Sequence, residues 1–263
     1  MSRGIQVIAH RGANDEEPEH SLAAFLKAVE QGADAVECDV RLTADGTLVC
    51  FHDRRIDRTS TGRGAVSSKT LKQLTEYDYS GGASAWLDFE APPADETRTA
   101  VLTLETLLAT MLDASKTIEF AIETKHPVRY GKYVERSLLD MLRRFGLTRA
   151  HGAAAPRARV MSFSRSAVAR VRERSPRTPT VLLMDDIPRR YRDGSLPTGV
   201  RIVGPSIEII RAHPRYASKV QARGGAVHVW TVDEKSDVEL CLEAGVDAII
   251  TNRPRRVLKM MGR

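Results

Sequence analysis

GADAVECDVR, residues 32–41, is the stretch of sequence that decides how this chain folds. Gly32 is a helix stop, and the short apolar run that follows it is interrupted by two acids, Glu37 and Asp39. Side chains two apart on a strand face the same side, so both acids project away from the apolar residues between them. Neighbouring carboxylates repel each other unless a cation lies between them. The stretch therefore predicts a β-strand whose polar face is a candidate cation site.

Similar β-type runs recur along the chain and alternate with amphipathic stretches of helical period. The predicted strands are residues 6–10, 35–41, 118–123, 160–163, 180–183, 202–205, 226–231 and 248–251. The predicted helices between them are residues 21–31, 103–112, 134–145, 167–174, 214–223 and 235–243. Such alternation indicates βα units and a parallel sheet, and eight strands is the number in a TIM barrel. We therefore expect the α/β class and a TIM (β/α)8 barrel.

One long segment, residues 53–102, breaks this alternation with several glycines, a Pro-Pro pair and a single short helical pattern over residues 67–74. A loop of this length is usually functional or forms a small subdomain. The chain has 263 residues, of which 42% are hydrophobic, and this suits one barrel. We expect a single TIM-barrel domain over residues 1–263, with an insertion at about 53–102, after the second strand region, packed over one barrel mouth.

The composition is that of an ordinary basic protein, with a net charge of +6 that favours an anionic ligand. No basic stretch is interleaved with aromatic residues, so nucleic acid is not an expected partner. Cys38, Cys50 and Cys241 have neither paired nor metal-ligand spacing, which favours a reducing compartment. No apolar run approaches the length of a membrane span, and no signal peptide is recognisable. We expect a cytoplasmic protein with a small-molecule substrate and no stable membrane insertion, and leave a homodimer open.

A second pair of polar residues, Glu123 and Lys125, ends the third predicted strand and again shares one face. Either pair alone would suit an ordinary protein surface. Both pairs fall at the carboxyl ends of predicted barrel strands, where barrel active sites lie. Three carboxylates suit a hard cation, whereas zinc would favour nitrogen or sulfur ligands. We therefore expect one divalent cation, Mg²⁺ or Ca²⁺, on Glu37, Asp39 and Glu123.

Two histidines, His10 and His52, end two further strand-like runs, over residues 6–10 and 47–51. Imidazole titrates near 6.5 and can transfer a proton in either direction. Phosphodiester hydrolysis needs a base for the attacking oxygen, an acid for the leaving alkoxide and positive charge on the non-bridging oxygens. The side chains that could supply these three functions are His10, His52, Arg11 and Lys125.

The order of these motifs resembles the glycerophosphodiester phosphodiesterase family of the bacterial, cytoplasmic type. The resemblance begins with HRG (10–12), PEHSLAAF (18–25), GADAVECDV (32–40), TADG (43–46), HD (52–53), DRT (57–59) and GRG (62–64). It continues with ETK (123–125), SF (162–163), WTV (230–232) and GVDAIIT (245–251). No single motif is rare, but the agreement in spacing extends over nearly the whole chain.

The resemblance implies a TIM-barrel enzyme that hydrolyses glycerophosphodiesters to glycerol 3-phosphate and an alcohol with a divalent cation. By position it implies Glu37, Asp39 and Glu123 as metal ligands, His10 and His52 as the acid/base pair, and Arg11 and Lys125 as phosphate-holding cations. It also implies that Trp230 lies beside the alcohol group and that Glu19 supports the metal or the His10 loop.

The clearest departure from the family pattern is at residue 20, where the family usually has asparagine and this chain has histidine. Asparagine stays neutral at every pH, whereas histidine can gain a charge near neutrality. We expect His20 to lie within contact distance of the site and to add a pH dependence to substrate binding. Ser21 keeps the hydroxyl that can cap the following helix.

Two other functions stay open on the sequence. A phospholipase D acting on sphingomyelin or lysophospholipids shares this layout but needs an apolar entrance for a lipid tail. The insertion, with Tyr77, Tyr79, Trp86 and Leu87, is only mildly apolar. A non-catalytic phosphodiester-binding module is expected to have lost a metal carboxylate or a site histidine, and none is lost here. The sequence also leaves open which histidine is the acid and whether the nucleophile is water or the glycerol 2-hydroxyl.

Overall fold

The computed structural model describes residues 4–81, 95–148 and 156–263. Its strands are β1 Gln6–His10, β2 Ala35–Leu42, β3 Leu48–Cys50, β4 Glu119–Thr124, β5 Ala158–Ser162, β6 Thr180–Met184, β7 Ile202–Pro205, β8 Ala226–Val229 and β9 Ala248–Thr251. Its α-helices are α1 Leu22–Glu30, α2 Leu71–Leu74, α3 Glu96–Thr99, α4 Leu104–Ala114, α5 Tyr133–Arg144, α6 Arg165–Arg174, α7 Ile207–Ala212, α8 Tyr216–Gln221, α9 Lys235–Ala244 and α10 Pro254–Met260. Every predicted barrel strand and every predicted helix between them forms, with ends shifted by no more than about two residues.

The sheet closes on itself, because β1 pairs in parallel with both β2 and β9. Between those two neighbours the order runs β9, β8, β7, β6, β5, β4 and β2, each pair parallel. Eight parallel strands therefore form the barrel, and β3 lies outside it as an antiparallel partner of β2. The predicted TIM barrel is confirmed.

Alternation along each strand separates the barrel interior from the layer beneath the helices. In β1, Ile8 belongs to a small cluster inside the barrel, whereas Val7 and Ala9 pack among larger clusters with helical residues. At the amino-terminal end of the strands, Arg159 Nη2 donates to Glu119 Oε2 at 2.7 Å. An apolar layer and this partly buried ion pair close the barrel from below, so its polar open end is at the opposite face.

Hydroxyl side chains begin three of the helices that follow barrel strands or their loops. Ser21 caps α1, Thr103 caps α4 and Ser164 caps α6, each by accepting a hydrogen bond from the backbone N–H three residues later. Such a cap contributes about 1 kcal/mol to the free energy of unfolding. The first helix was predicted to begin at Ser21, and Ser21 is its N-cap residue. The caps also determine where the loops at the barrel mouth end.

A hairpin precedes the insertion, and its second strand, β3, lies within the strand-like run over residues 47–51 but was not among the eight predicted barrel strands. β3 returns antiparallel to β2, with Val40 opposite Cys50, and Phe51 N donates to Asp39 O at 2.9 Å. The hairpin therefore carries residue 52 back to the barrel mouth. Beyond it, the predicted helix over residues 67–74 is wrong as one element. It divides into a 3₁₀ turn and α2, because Thr70 caps α2: its Oγ1 accepts from Gln73 N, and its backbone N–H donates to Gln73 Oε1.

Three helices, α3, α7 and α10, were not predicted, since they span only four, six and seven residues and carry too few turns to show a period. Residues 82–94 of the insertion, including Trp86 and Leu87, lie outside the described residues. Among the residues that the structure describes, no helix combines the length and apolar character needed to cross a bilayer.

Candidate active site

The carboxyl ends of the barrel strands, together with the hairpin, bring the predicted polar residues to one mouth. The cavity there has a volume of about 200 Å³. It is lined by His10, Arg11, Glu37, His52, Glu123, Lys125, Met161, Phe163, Leu183, Trp230, Thr231 and Ile250. The first six of these residues form a polar half and most of the others an apolar half. Asp39 lies beside the polar half, in contact with Arg11 and Lys125.

The three predicted metal ligands converge although they are far apart in sequence. In the parallel register His10 is opposite Glu37, and Asp39 is opposite Glu123. One carboxylate oxygen of each acid, Glu37, Asp39 and Glu123, lies within 4.8 Å of the others, and all three side chains are buried. Lys125 Nζ stands 3.0 Å from Asp39 Oδ1 and 3.0 Å from Glu123 Oε2.

The three carboxyl groups differ in how readily they ionise. Burial, together with the charge of Asp39, raises the pKa of Glu37 well above its usual range and raises the pKa of Glu123 to about 8. Burial acts in the same direction on Asp39, but the charges of Lys125 and Arg11 help to outweigh it and lower its pKa. Asp39 is thus the carboxyl group of the three that ionises most readily.

Two observations indicate that this group of acids could hold a cation. Asp39 Oδ2 is buried and lies 3.2 Å from Arg11 Nε, yet it accepts no hydrogen bond among the described residues. The donor set consists of carboxylate oxygens, which Mg²⁺ and Ca²⁺ prefer. Glu37, Asp39 and Glu123 could therefore hold a divalent cation, as the sequence predicts.

His10 is held by a chain of polar residues at its Nδ1. Asn252 Nδ2 donates to Asp233 Oδ2 at 2.6 Å, so its amide oxygen Oδ1 is the atom that faces His10, at 2.7 Å from Nδ1. An amide oxygen only accepts hydrogen bonds, so His10 Nδ1 carries the proton. Nε2 is left facing Glu37 Oε2 at 4.0 Å. Burial and the nearby Arg11 charge lower the pKa of His10 to about 4, so the ring is neutral at pH 7.

Asp233 and Asn252 were missed by the sequence reasoning. Both carry a signal that was available, since Asn252 directly follows the last predicted strand, residues 248–251, and Asp233 closely follows the eighth barrel position at residues 226–231. Polar residues just beyond barrel strand ends are candidates for the site. Their spatial pairing with His10, more than two hundred residues away in sequence, could not be inferred from spacing.

His52 is held in a similar way but by a different kind of partner. Its Nδ1 lies 2.7 Å from Asp53 Oδ1, and an ionised carboxylate only accepts, so Nδ1 again carries the proton. Arg41 Nε and Nη2 both donate to the backbone carbonyl of His52, at 3.0 and 2.7 Å. Burial lowers the pKa of His52, while Asp39 and Asp53 act to raise it. Both histidines thus keep Nε2 as the ring nitrogen available to a substrate.

Arg11 and Glu19 lie in the turn that follows β1. Arg11 has φ 57° and Gly12 φ 87°, and a Cβ on Gly12 would stand 2.6 Å from the backbone carbon of Ala24, so the tight turn requires glycine there. Glu19 accepts from Arg11 Nη1 at 3.3 Å. The structure places Glu19 beside this loop, not among the three acids of the candidate cation site.

His20 is in contact with the site, and its surroundings argue against the expected pH dependence. Its Nε2 accepts a hydrogen bond from the backbone N–H of Asp39 at 3.0 Å, and its side chain is buried. Burial, opposed by Asp39, lowers the pKa of His20 to about 3, so the ring stays neutral throughout the physiological range. His20 has φ 59°, a left-handed conformation that both histidine and asparagine tolerate. A neutral acceptor is what either residue offers here.

His20→Asn is accordingly expected to leave both the pH profile and the rate nearly unchanged. Both side chains are neutral, so kcat should stay within about threefold and the limbs of kcat/KM should superimpose. The measurement is kcat/KM from pH 5 to 9 for the two proteins, with the far-ultraviolet circular dichroism as a folding control. A displaced acid limb would show that His20 does gain a proton in the free enzyme.

The apolar half of the cavity is built around two aromatic rings. Trp230 Nε1 donates to Gly204 O at 2.7 Å, which fixes the indole. The ring of Phe163 meets it edge to face, with centroids 5.5 Å apart and an interplanar angle of 84°. Phe163 is 40% exposed, unusual for a large apolar residue. Sequence reasoning noted Phe163 as part of a motif but gave it no role, and its position indicates a wall for the carbon skeleton of a ligand.

Comparison with known proteins shows which proteins this chain is similar to. Residues 10–256 match the model of the glycerophosphoryl diester phosphodiesterase family. The chain is 48% identical over 252 residues to a probable glycerophosphodiester phosphodiesterase 1 of Mycobacterium tuberculosis, covering 95% of this chain and 90% of that protein. It is 28% identical over 262 residues to a glycerophosphodiester phosphodiesterase of Bacillus subtilis, covering 95% of this chain and 84% of that protein.

Among solved structures, the fold is similar to that of a phosphodiesterase of Oleispira antarctica in complex with the product sn-glycerol-3-phosphate. The TM-score is 0.83 at 22% identity, and the match covers 98% of this chain and 97% of that chain. A putative glycerophosphoryl diester phosphodiesterase of Silicibacter pomeroyi gives a TM-score of 0.80 at 23% identity, with 99% and 94% covered. At these identities the structures support the barrel architecture.

Proposed function

The chain belongs to the glycerophosphoryl diester phosphodiesterase family, and on that premise we propose that it hydrolyses glycerophosphodiesters to glycerol 3-phosphate and an alcohol. The observation that carries the proposal is the single cavity in which two histidines, two cationic side chains and the acidic group face one another. The relative at 48% identity, whose name states this activity, supports it. Retention of every acid and histidine argues against a binding module that has lost its catalytic function.

The phosphate is proposed to bind between Arg11 and Lys125. Lys125 Nζ is fixed by Asp39 and Glu123, and Arg11 is fixed by Asp39 and Glu19, so both charges are held in place before substrate arrives. Fixed charges of this kind stabilise developing negative charge without reorganisation during the reaction.

We propose Glu37, Asp39 and Glu123 as the ligands of one divalent cation, Mg²⁺ or Ca²⁺. When bound, such an ion supplies Lewis-acid charge to the phosphate oxygens and lowers the pKa of the attacking oxygen. The choice between the two ions depends on cavity size, ligand number and flexibility. Carboxyl ligands bind a metal in the deprotonated form, so the raised pKa values of Glu37 and Glu123 would make binding of the ion stronger at higher pH.

The Nδ1 partners of the two histidines suggest their roles. His10 has a neutral amide partner, Asn252, and is proposed as the base whose Nε2 takes the proton of the attacking oxygen. His52 has a carboxylate partner, Asp53, which favours an imidazolium, and it is proposed as the acid whose Nε2 protonates the departing alkoxide. Either water or the glycerol 2-hydroxyl would deliver its proton to His10 in this scheme.

Trp230 is proposed to lie beside the alcohol group, as the resemblance implies, and Phe163 to pack with it against carbon atoms of the ligand. Each cationic group of the cavity is assigned to the phosphate, so none is left to select the alcohol. We therefore expect a broad tolerance of alcohols and a strict demand for the glycerol phosphate half.

The function is tested by incubating the protein with glycerophosphocholine, glycerophosphoethanolamine and lysophosphatidylcholine, each with Mg²⁺ or Ca²⁺, and quantifying glycerol 3-phosphate and free alcohol. The two glycerophosphodiesters are expected to have kcat/KM values within about tenfold of each other, since no specific contact distinguishes their headgroups. Lysophosphatidylcholine should be much slower. Preferred turnover of the lysolipid would favour a phospholipase D, and binding without turnover would favour a non-catalytic module.

A cytoplasmic location is also proposed, supported by three cysteines that are all buried and unpaired. A single domain over residues 1–263 and a homodimer both remain predictions from the sequence. Light scattering of the purified protein measures the oligomeric state directly.

A further inference from the structure

One arginine of the insertion, Arg58, connects the two loops that carry the cationic and histidine groups of the cavity. Its Nη1 and Nη2 donate to the two carboxylate oxygens of Glu19 at 2.9 and 2.7 Å. Its Nε donates to Asp53 Oδ2 at 2.5 Å. All three nitrogens of one guanidinium are therefore engaged, two on the loop after β1 and one on the loop after β3.

The acceptors of Arg58 are the same carboxylates that contact the candidate machinery. Glu19 Oε1 also accepts from Arg11 Nη1, and Asp53 Oδ1 is the partner of His52 Nδ1. Arg58 is thus not itself bonded to Arg11 or to His52, but it shares Glu19 with Arg11 and Asp53 with His52. None of these contacts involves the three acids of the candidate cation site.

The chemistry of this position favours arginine over lysine. A planar guanidinium can occupy a carboxylate with two parallel hydrogen bonds and still donate from Nε, whereas an ammonium acts as a point charge. Burial acts to raise the pKa of Glu19, but the hydrogen bonds from Arg58 and the charge of Arg11 outweigh it and lower the pKa to about 2. Hydrogen bonds from Arg58 and His52 likewise hold the pKa of Asp53 below its usual range against burial.

Stability alone does not account for such a network. Arg58 is 50% exposed, and exposed ion pairs contribute little to the free energy of unfolding. The neighbouring pair Arg55–Asp57 is of that ordinary kind, with Arg55 61% exposed. What distinguishes Arg58 is the identity of its partners, since each of them orients a group of the cavity.

We propose that Arg58 is a positioning residue that aligns His52 through Asp53 and Arg11 through Glu19. The inference rests on the proposed phosphodiesterase function and deepens it. Outer partners of this kind typically change activity by about 10- to 100-fold when removed. Arg58 itself exchanges no proton with the substrate.

The pKa of His52 depends on the charges around it. A change in that pKa would therefore distinguish a positioning role of Arg58 from a purely structural one. Asp53 contacts its ring, and the charges of Asp39, Lys125 and Arg11 also act on its pKa. Removing Arg58 leaves Asp53 without its compensating cation, so Asp53 attracts a proton on His52 more strongly. In the pH profile of kcat/KM, the limb that reports the ionisation of His52 should therefore move to higher pH.

The experiment compares Arg58→Ala, Arg58→Lys and the matched control Arg55→Ala with the wild type on glycerophosphocholine. We expect Arg58→Ala to lower kcat by about tenfold or more, with KM changed by less than about threefold. Arg58→Lys should be intermediate, and Arg55→Ala should match the wild type. Guanidinium chloride at millimolar concentration should partly restore Arg58→Ala, whereas sodium chloride at equal ionic strength should not.

The outcomes separate this inference from the proposed function. A wild type that hydrolyses none of the glycerophosphodiesters would contradict the proposed function and with it the inference. An active wild type with Arg58→Ala equal to Arg55→Ala in kcat and pH profile would overturn the inference alone. Equal loss in Arg58→Ala and Arg58→Lys, without guanidinium rescue and with a lowered unfolding temperature, would assign Arg58 to folding.

Discussion

Glu37→Gln, Asp39→Asn and Glu123→Gln are each expected to lower kcat/KM by about 10³-fold, because each removes an anionic ligand from the candidate cation site. A metal ion contributes several kcal/mol to transition-state stabilisation, and about 4 kcal/mol corresponds to this factor. The substitutions keep side-chain volume, so folding should be retained. A surface control, Glu105→Gln, should match the wild type, since Glu105 is exposed and pairs with Arg144 on the exterior.

The same variants have a readout that does not depend on activity. A ligand that binds only the folded state raises the unfolding temperature, so Mg²⁺ or Ca²⁺ should stabilise the wild type and not the three variants. Wild-type activity should disappear in excess chelator. Full turnover of protein shown by elemental analysis to be metal-free would contradict the prediction.

The pH dependence of this stabilisation follows from the carboxyl groups. The pKa of Glu123 is raised to about 8 by burial and by Asp39, so this group contributes stability at low pH that is lost as pH rises toward 8. A cation replaces the proton, and its binding releases protons in that window. The cation-induced rise in unfolding temperature should therefore be larger at pH 8 than at pH 6. Equal rises at the two pH values would show that Glu123 is already ionised in the metal-free protein.

The barrel and the acidic group could be predicted because both follow from local rules. A period of two places Glu37 and Asp39 on one face of a strand, and the parallel register then sets Asp39 opposite Glu123. In a parallel barrel the carboxyl ends of all the strands lie at one mouth. Polar residues at those ends therefore come close together even when they are far apart in sequence.

The hairpin and the polar partners could not be predicted in the same way. β3 pairs antiparallel to β2 outside the barrel, and only that return explains how His52 reaches the mouth. Closure of the barrel brings the ends of the first and last strands together, but the contact between His10 Nδ1 and Asn252 Oδ1 at that place is a side-chain pairing that no spacing rule supplies. Long-range side-chain contacts depend on the closed geometry, not on local pattern.

Residue 20 shows a different limit of sequence reasoning. A histidine near acids suggests a titrating group, because the ordinary pKa of imidazole is near neutrality. The actual pKa depends on burial and on which ring nitrogen accepts a hydrogen bond, and both act here against a charge on His20. Residue type predicts which groups can titrate, whereas the environment decides whether they do.

His10→Ala and His52→Ala are each expected to lower kcat on glycerophosphocholine by about 10²- to 10⁴-fold, the usual contribution of a positioned acid or base. The choline alkoxide is a poor leaving group and needs a proton as its bond to phosphorus breaks. The attacking oxygen needs to lose a proton whatever the leaving group is. Both deletions therefore impair this substrate, and the loss alone does not distinguish the two roles.

An aryl ester of glycerol phosphate, whose phenolate leaves without protonation, separates the roles. If His52 is the acid, His52→Ala should recover most of its loss on the aryl ester, because the missing proton is no longer required. His10→Ala should stay impaired by about 10²-fold or more on both substrates, since its step is unchanged. The contrast follows from the Nδ1 partners, a carboxylate at His52 and an amide at His10. The reverse pattern would exchange the two assignments, and equal losses on both esters would show that neither histidine protonates the leaving group.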